Sequence, residues 1–396
     1  MKRLVSGWIY VYIIARSVSL DIETDEFSIS KWENSRERQF PAQKQEEHIM
    51  KIGIIGRVAD GVELYDGQTV TTRIIRDELE NRLNTAVYCV DTYNYKHRAP
   101  VCLVRSFICL LRCEHIFVLL SNNGRRFFFP FLYYFNKLFH RRIYHRVIGG
   151  SFGENIQAHP NWVRYLNSFI VNLTEGRAQV DALKQTGVTN AVETYTFRNA
   201  QIVTERDFPA YNHPPFRFCT FCRVTKSKGI GDAIRAVTEI NREHEASARL
   251  DIYGPIDEEY REEFEALLAQ SDGAAQYMGC VSPKESVETL KGYFMHLFPT
   301  TWKGEGLPGT LVDCFAAGLP TIATDWNLNA DILREGETGY CYDWRHPEFL
   351  TEKMIYCMEH TDIVAKMRYA CIEEAVKYQP DASMEQIFEF MGVQGR

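Results

Sequence analysis

Two carboxylates set eight positions apart, Glu305 and Asp313, bracket a glycine-rich turn in the stretch 304–325, GEGLPGTLVDCFAAGLPTIATD. The lead-in carries glycines at 304, 306 and 309. An apolar-periodic run follows from 310 to 317, Gly318 and Pro320 stop it, and 321–324 reads as a strand. A helix that starts at Gly309 or Thr310 directs unpaired backbone N–H groups and a partial positive charge at whatever precedes it, which suits a phosphate. Gly306, Leu307, Pro308, Gly309 and Thr310 therefore form a candidate binding turn. A carboxylate beside such amides suits a neutral, hydroxyl-rich partner such as a ribose or a hexose. Thr310 and Asp313 also have the spacing of a capping box, in which Asp313 bonds back to the helix start. Glu305 has no structural task that the sequence reveals.

A second constellation is Arg223 and Lys228, five apart, where the strand-like FRFCTFCRV gives way to an amphipathic run with Ile230, Ile234 and Val237 on one face. A guanidinium fork and an ammonium point charge together grip a diphosphate without a metal. Lys226 is a nearby competitor for that role. No Asp-x-Asp pair occurs, so the ligand pair of a metal-assisted diphosphate site is lacking and no metal is expected. A third helix start, in the loop GVELYDGQTVTT, presents Gly67, Gln68 and Thr69; its plain alternative is a turn with a Thr cap. Gly53 and Gly56 supply only GxxG, short of the dinucleotide fingerprint, which speaks against an NAD or FAD enzyme.

These residues sit in an alternation of strands and helices from residue 51 onward, with the proline-containing stretch 198–215 reading as a linker. The sequence thus divides into an extension 1–49, a first strand-helix unit 50–205, a second unit 206–375 and a terminal helical segment 376–396.

The stretch around Glu305 resembles the E-x7-E signature of the group 1, family 4 glycosyltransferases, retaining enzymes that use nucleotide sugars. Glu305 stands first and Asp313 where the second Glu usually sits, and AAGLPTIATDW follows the family pattern. The Arg, four residues, Lys-Gly spacing of Arg223 and Lys228 is similar to the opening of that family's second domain. The resemblance implies an α/β GT-B fold, two Rossmann-like domains facing across a cleft. It implies that Glu305 and the loop amides hold the donor sugar, that Asp313 holds the ribose, and that the nucleobase lies against Cys280 and Val281. It places the Gly67 loop in the cleft and sends the terminal helix back onto the first domain. In many relatives a histidine ends the strand that corresponds to RIYHRVIGGSF, 142–152; here Gly149 and Gly150 stand there, with Glu154 and His159 beyond them as further cleft candidates.

Bulk properties narrow the surroundings. The 396 residues suffice for two domains, and 45% hydrophobic and 24% charged content is that of a globular protein. A net charge of −7 gives no general case for nucleic acid. Eleven cysteines in an irregular set point to a reducing compartment rather than a disulfide framework, and Cys219 and Cys222 form a lone CxxC in a strand. No acid occurs from His115 to Gly153, whereas Arg125, Arg126, Lys137, Arg141, Arg142 and Arg146 interleave with aromatics. That mixture suits an anionic membrane surface through residues 125–146, with a buried helix 131–139 as the plain alternative.

The combined expectation is a metal-independent hexosyltransferase. It takes a UDP- or GDP-linked sugar, needs no cofactor, and acts on a glycan or lipid-linked acceptor at the cytoplasmic face of the cell membrane, in polysaccharide or capsule biosynthesis. A non-catalytic sugar-nucleotide-binding or membrane scaffold is the competing expectation.

Overall fold

The segment IGIIG forms β1 (Ile52–Gly56), and all five of its residues are buried. An unbroken apolar run of this kind is what a strand covered on both faces of a parallel sheet requires. The computed structural model describes residues 51–62, 64, 66–150, 152–194, 202–204, 208, 213–243 and 247–393. The expected extension 1–49 and the expected boundary at 205/206 lie outside the described residues.

After β1 come α1 (Gly67–Leu83), β2 (Val87–Asp91), α2 (Tyr95–Arg112), β3 (His115–Leu119), α3 (Asn122–Phe139) and β4 (Arg142–Arg146). Then follow α4 (Phe152–Ala158), α5 (Asn161–Leu166), β5 (Val171–Thr174), α6 (Arg177–Gln185) and β6 (Ala191–Glu193). Their strands make one parallel sheet in the order β2-β1-β3-β4-β5-β6. Right-handed crossovers put helices on opposite faces when the direction of strand addition reverses. Accordingly α2 to α6 cover one face, burying Cys109, Phe128, Phe129, Leu132 and Trp162, while α1 covers the other with Ile75 and Leu79.

The second sheet has the order β12-β11-β10-β7-β8-β9 and is likewise parallel throughout. Its elements are β7 (Phe216–Phe221), α7 (Ile230–Glu243), β8 (Ala248–Tyr253), α8 (Arg261–Gln270), β9 (Ala275–Gly279), α9 (Ser286–Leu290) and β10 (Met295–Phe298). They continue with α10 (Gly309–Ala316), β11 (Thr321–Thr324), α11 (Asn329–Ile332), β12 (Gly339–Tyr342), α12 (Glu348–Glu359) and α13 (Thr361–Ala375). The last helix, α14 (Pro380–Met391), lies against the first sheet. It buries Met384, Ile387 and Phe388 beside β1 and α1, and Arg142 donates to the carbonyl of Phe390 at 2.7 Å.

Three local expectations need correction. The helix read over 131–139 begins at Asn122 and runs through Pro130, because the fully buried Phe128, Phe129 and Leu132 offset the one backbone bond a proline removes. Cys219 is buried in β7 and Cys222 lies just past its end; burial pushes both thiols up, that of Cys222 to about 11. Most of the basic run 125–146 is internal rather than presented outward. Arg125 and Arg146 are buried, and Arg141 donates to the carbonyl of Leu110 at 2.7 Å, so only Arg126 and Lys137 of the six cations are exposed. No helix among the described residues is long and apolar enough to cross a membrane.

Candidate active site

In a doubly wound sheet, ligands bind at the carboxyl ends of the strands where the direction of addition reverses. In the second sheet that point lies between β7 and β10, which are paired neighbours. The chain leaving β7 carries Arg223 and Lys228, and the chain leaving β10 carries Thr300, Trp302 and Glu305. Strand order, not sequence proximity, brings the two groups together.

Lys228 ends a short 3-10 turn, Lys226–Lys228, and is buried. Gly229 follows with φ +69, and a Cβ there would lie 2.1 Å from the carbonyl oxygen of Pro299, so the turn needs glycine to approach the end of β10. The Lys228 ammonium donates to Oε2 of Glu305, and the Thr300 hydroxyl donates to the same oxygen at 3.0 Å. Trp302 roofs the cations: the Arg223 guanidinium and the Lys228 ammonium each lie 5.0 Å from its ring. Lys226, the competitor in sequence, points elsewhere and pairs with Glu263 at 2.9 Å on the surface.

The glycine turn meets the first sheet directly. The Glu305 amide donates to Trp302 O at 3.1 Å, and Asn327 Nδ2 donates to Glu305 O at 3.2 Å, so the turn is held from both sides. A Cβ at Gly150 would stand 1.9 Å from Glu305 O. Gly150 is thus a glycine because the backbone of the opposite domain occupies the space a side chain would need, whereas Gly149 borders open space and holds a φ of +89 that favours glycine. The amide of Leu307 donates at 3.1 Å to Oε2 of Glu175, one residue past β5.

Pro308 is the cap of α10, with extended backbone, and the helix starts at Gly309. Thr310 therefore lies inside the first turn and cannot be the cap, which overturns the capping-box alternative. Its Oγ1 is buried with no hydrogen-bond partner among the described residues. Asp313 is buried one turn into α10. Cys280 is exposed and Val281 half-buried, just past β9, on the same carboxyl edge but two strands out from β7.

The first-domain candidates divide. Gln68 and Thr69 are engaged within their own domain: Gln68 Nε2 donates to Leu119 O at 2.9 Å, and both the amide and the hydroxyl of Thr69 donate to Asp66, which is the helix cap. Gly67 borders open space. α4 carries the chain away from the end of β4, leaving Glu154 solvent-exposed and His159 packed at a tilt against Trp162, 4.9 Å between ring centres. Neither is brought to the turn; Glu175 is.

Glu175 stands beside two buried arginines. Arg146 Nη2 lies 3.8 Å from Glu175 Oε1, and Arg125 donates to Ile148 O at 2.9 Å while packing over the Phe152 ring. Burial pushes the Arg125 guanidinium down to about 9 and lowers that of Arg146, and the charge of Glu175 pulls both back up. Sequence reasoning passed over Glu175 and Trp302. The available signal was their position past the end of a strand, Glu175 directly after β5 and Trp302 in the loop that leaves β10, where an α/β sheet places its ligand contacts.

Two parallel six-stranded sheets with alternating helices, apposed at their strand ends, define a GT-B fold. Residues 203–378 match the family model described as glycosyl transferases group 1. Solved structures agree in fold. Alr3699/HepE of Anabaena in complex with UDP is 13% identical, with a TM-score of 0.67 over 87% of this chain and 100% of that one. The same protein has been solved with UDP-glucose. Sucrose-phosphate synthase from Thermosynechococcus elongatus is 11% identical, with a TM-score of 0.69 over 87% of this chain and 98% of that one. No curated protein matches the chain in sequence.

Proposed function

We propose that this chain is a retaining glycosyltransferase that moves a hexose from a UDP- or GDP-sugar to a glycan or lipid-linked acceptor in cell-surface polysaccharide biosynthesis. The observation that carries the reading is the convergence of Arg223, Lys228 and Glu305 at the switch point of the second sheet, beside the N-terminus of α10. The match to the group 1 model over the same residues and the nucleotide-bound fold relatives support it.

In this mechanism Arg223 and Lys228, with the amides at the start of α10, neutralise the donor diphosphate without a metal. Glu305 orients the hexose through its hydroxyls, Asp313 the ribose, and Cys280 and Val281 border the base. The bond from the anomeric carbon to the diphosphate breaks as the acceptor oxygen adds to the same face, and the acceptor proton passes to the departing phosphate oxygen. Contact between Gly150 and the Glu305 turn excludes water from the closed cleft.

The reading includes a cytoplasmic membrane face, moved from the 125–146 run to the outer surface of α2 and α3. These two helices contain no acidic residue, and they expose Arg98, Arg105, Arg112, Arg126 and Lys137 beside Val101, Phe127, Tyr134 and Leu138. In a chain of net charge −7 that local excess suits anionic headgroups. Vesicles of phosphatidylglycerol should float the protein and phosphatidylcholine vesicles should not. Flotation that survives charge reversal at Arg105, Arg112 and Arg126 together removes this face from the proposal, and no flotation with either vesicle removes the membrane.

The deciding experiment is a thermal-shift panel of nucleotide sugars followed by turnover. A donor at 100 times its dissociation constant adds about 2.7 kcal/mol of stability. No shift with any UDP- or GDP-sugar sinks the proposal; a shift without transfer to any acceptor favours a sugar-nucleotide-binding scaffold.

A further inference from the structure

Glu175 reaches out of one domain and holds the backbone of the other. Its backbone amide donates to Gln179 Oε1 at 3.0 Å, and Gln179 Nε2 donates to Gly149 O at 3.4 Å, so the carboxylate stands on a braced socket at the ends of β4 and β5. From there Oε2 accepts the Leu307 amide, and a Cβ at Gly306 would lie 2.5 Å from the same oxygen. The charge is compensated from behind by Arg146 at 3.8 Å, with Arg125 beyond it. A charged acceptor makes a stronger bond to a backbone N–H than a neutral one, and a buried carboxylate needs such compensation.

We propose that Glu175 is a positioning residue of the reaction centre, a clamp across the cleft that fixes the 305–307 turn when the domains close. The proposal deepens the glycosyltransferase reading and rests on it for its catalytic consequence. Glu305 follows Thr300 and Trp302 on the turn that Glu175 holds by its far end, so the aim of the Glu305 carboxylate depends on a residue of the opposite domain. Donor affinity resides on the second domain and stays; the step that requires closure is lost. The glycines at 150 and 306 are the clearance this clamp requires, one for each backbone that comes within reach of the other domain.

The test uses the full chain. Glu175→Ala leaves Arg125 and Arg146 without their carboxylate and risks misfolding, so the informative variants keep the charge. Glu175→Asp withdraws the carboxylate by one methylene, and Gly306→Ala inserts a methyl between it and the turn. In both, hydrogen exchange at amides 304–311 should rise by about tenfold or more while the β7 and β8 amides stay protected. With a nucleotide sugar that turns over, kcat of Glu175→Asp should fall by about tenfold and its dissociation constant for UDP should change by less than about threefold, while Gly306→Ala, which alters the binding turn itself, is read by exchange alone. Unchanged exchange in both variants overturns the clamp, and so does a loss of UDP affinity in step with kcat. Exchange needs no substrate: a clamp seen by exchange in a protein that transfers no sugar refutes the activity and leaves the clamp standing.

Discussion

The ammonium of Lys228 donates to Oε2 of Glu305 across 77 residues of chain, and both side chains are buried. Replacing Glu305 by Ala strands that ammonium in a low-dielectric site, and breaking a buried pair from one side costs about 3–5 kcal/mol. Urea unfolding should show this loss, and sugar transfer should fall by about a hundredfold or more. A Glu305→Ala protein that retains transfer contradicts the assignment of the turn.

Trp302 stacks on both cations assigned to the diphosphate. A nucleotide that draws Arg223 and Lys228 toward its phosphates changes the field on the indole, so UDP should shift the tryptophan emission. Trp302→Phe should abolish that shift and weaken UDP by no more than about fivefold, as expected for lost cation–π contacts of about 0.5–1 kcal/mol. An emission change that persists in Trp302→Phe places the nucleotide elsewhere.

At Gly150 an added methyl collides with the carbonyl of Glu305, which is backbone and cannot rotate away. Gly150→Ala should therefore hold the cleft open by roughly an ångström, enough to lower kcat/KM by about a hundredfold while UDP still binds. Small-angle scattering of the variant should show a larger radius of gyration in the presence of UDP. Wild-type kinetics in this variant would mean that the cleft closes differently.

Acid should weaken the fold through its buried histidines. Burial lowers His296 from 6.5 to about 3 and takes His145 well below its ordinary value. Below about pH 6.5 the unfolded chain takes up protons that these folded sites refuse, so stability falls by up to about 1.4 kcal/mol per pH unit for each histidine. The loss should run from about 6.5 downward, toward about 3 for His296. Denaturation midpoints between pH 7 and 5 should shift accordingly, and His296→Asn should flatten the slope. A slope unchanged in that variant contradicts the assignment.

Arg125 separates burial from surface charge. It is wholly enclosed and bonded to Asn122 and Ile148, so Arg125→Leu should cost about 1–3 kcal/mol of stability and leave vesicle flotation unaltered. Arg126, its exposed neighbour, should behave oppositely. Equal effects of the two substitutions on flotation argue against a docking face on α2 and α3.

The sequence by itself determined what is local. Continuous apolar runs such as IGIIG, amphipathic runs such as that from Ile230, and glycines ahead of Thr310 announce strands, helices and an amide-rich turn, since each depends on neighbours only a few residues away. The residue types of Arg223, Lys228 and Glu305, and the glycine turn beside Glu305, were legible for the same reason. Their meeting, however, was decided by the pairing of β7 with β10, a contact between distant segments that no local pattern encodes. The tertiary structure alone put Arg125 inside, because helical spacing turned it toward Phe152 and Ile148 while its neighbour Arg126 faced out. It alone brought Glu175 to Leu307. That bond spans 132 residues and two sheets, and its geometry exists only once both sheets have formed and the strand ends face each other.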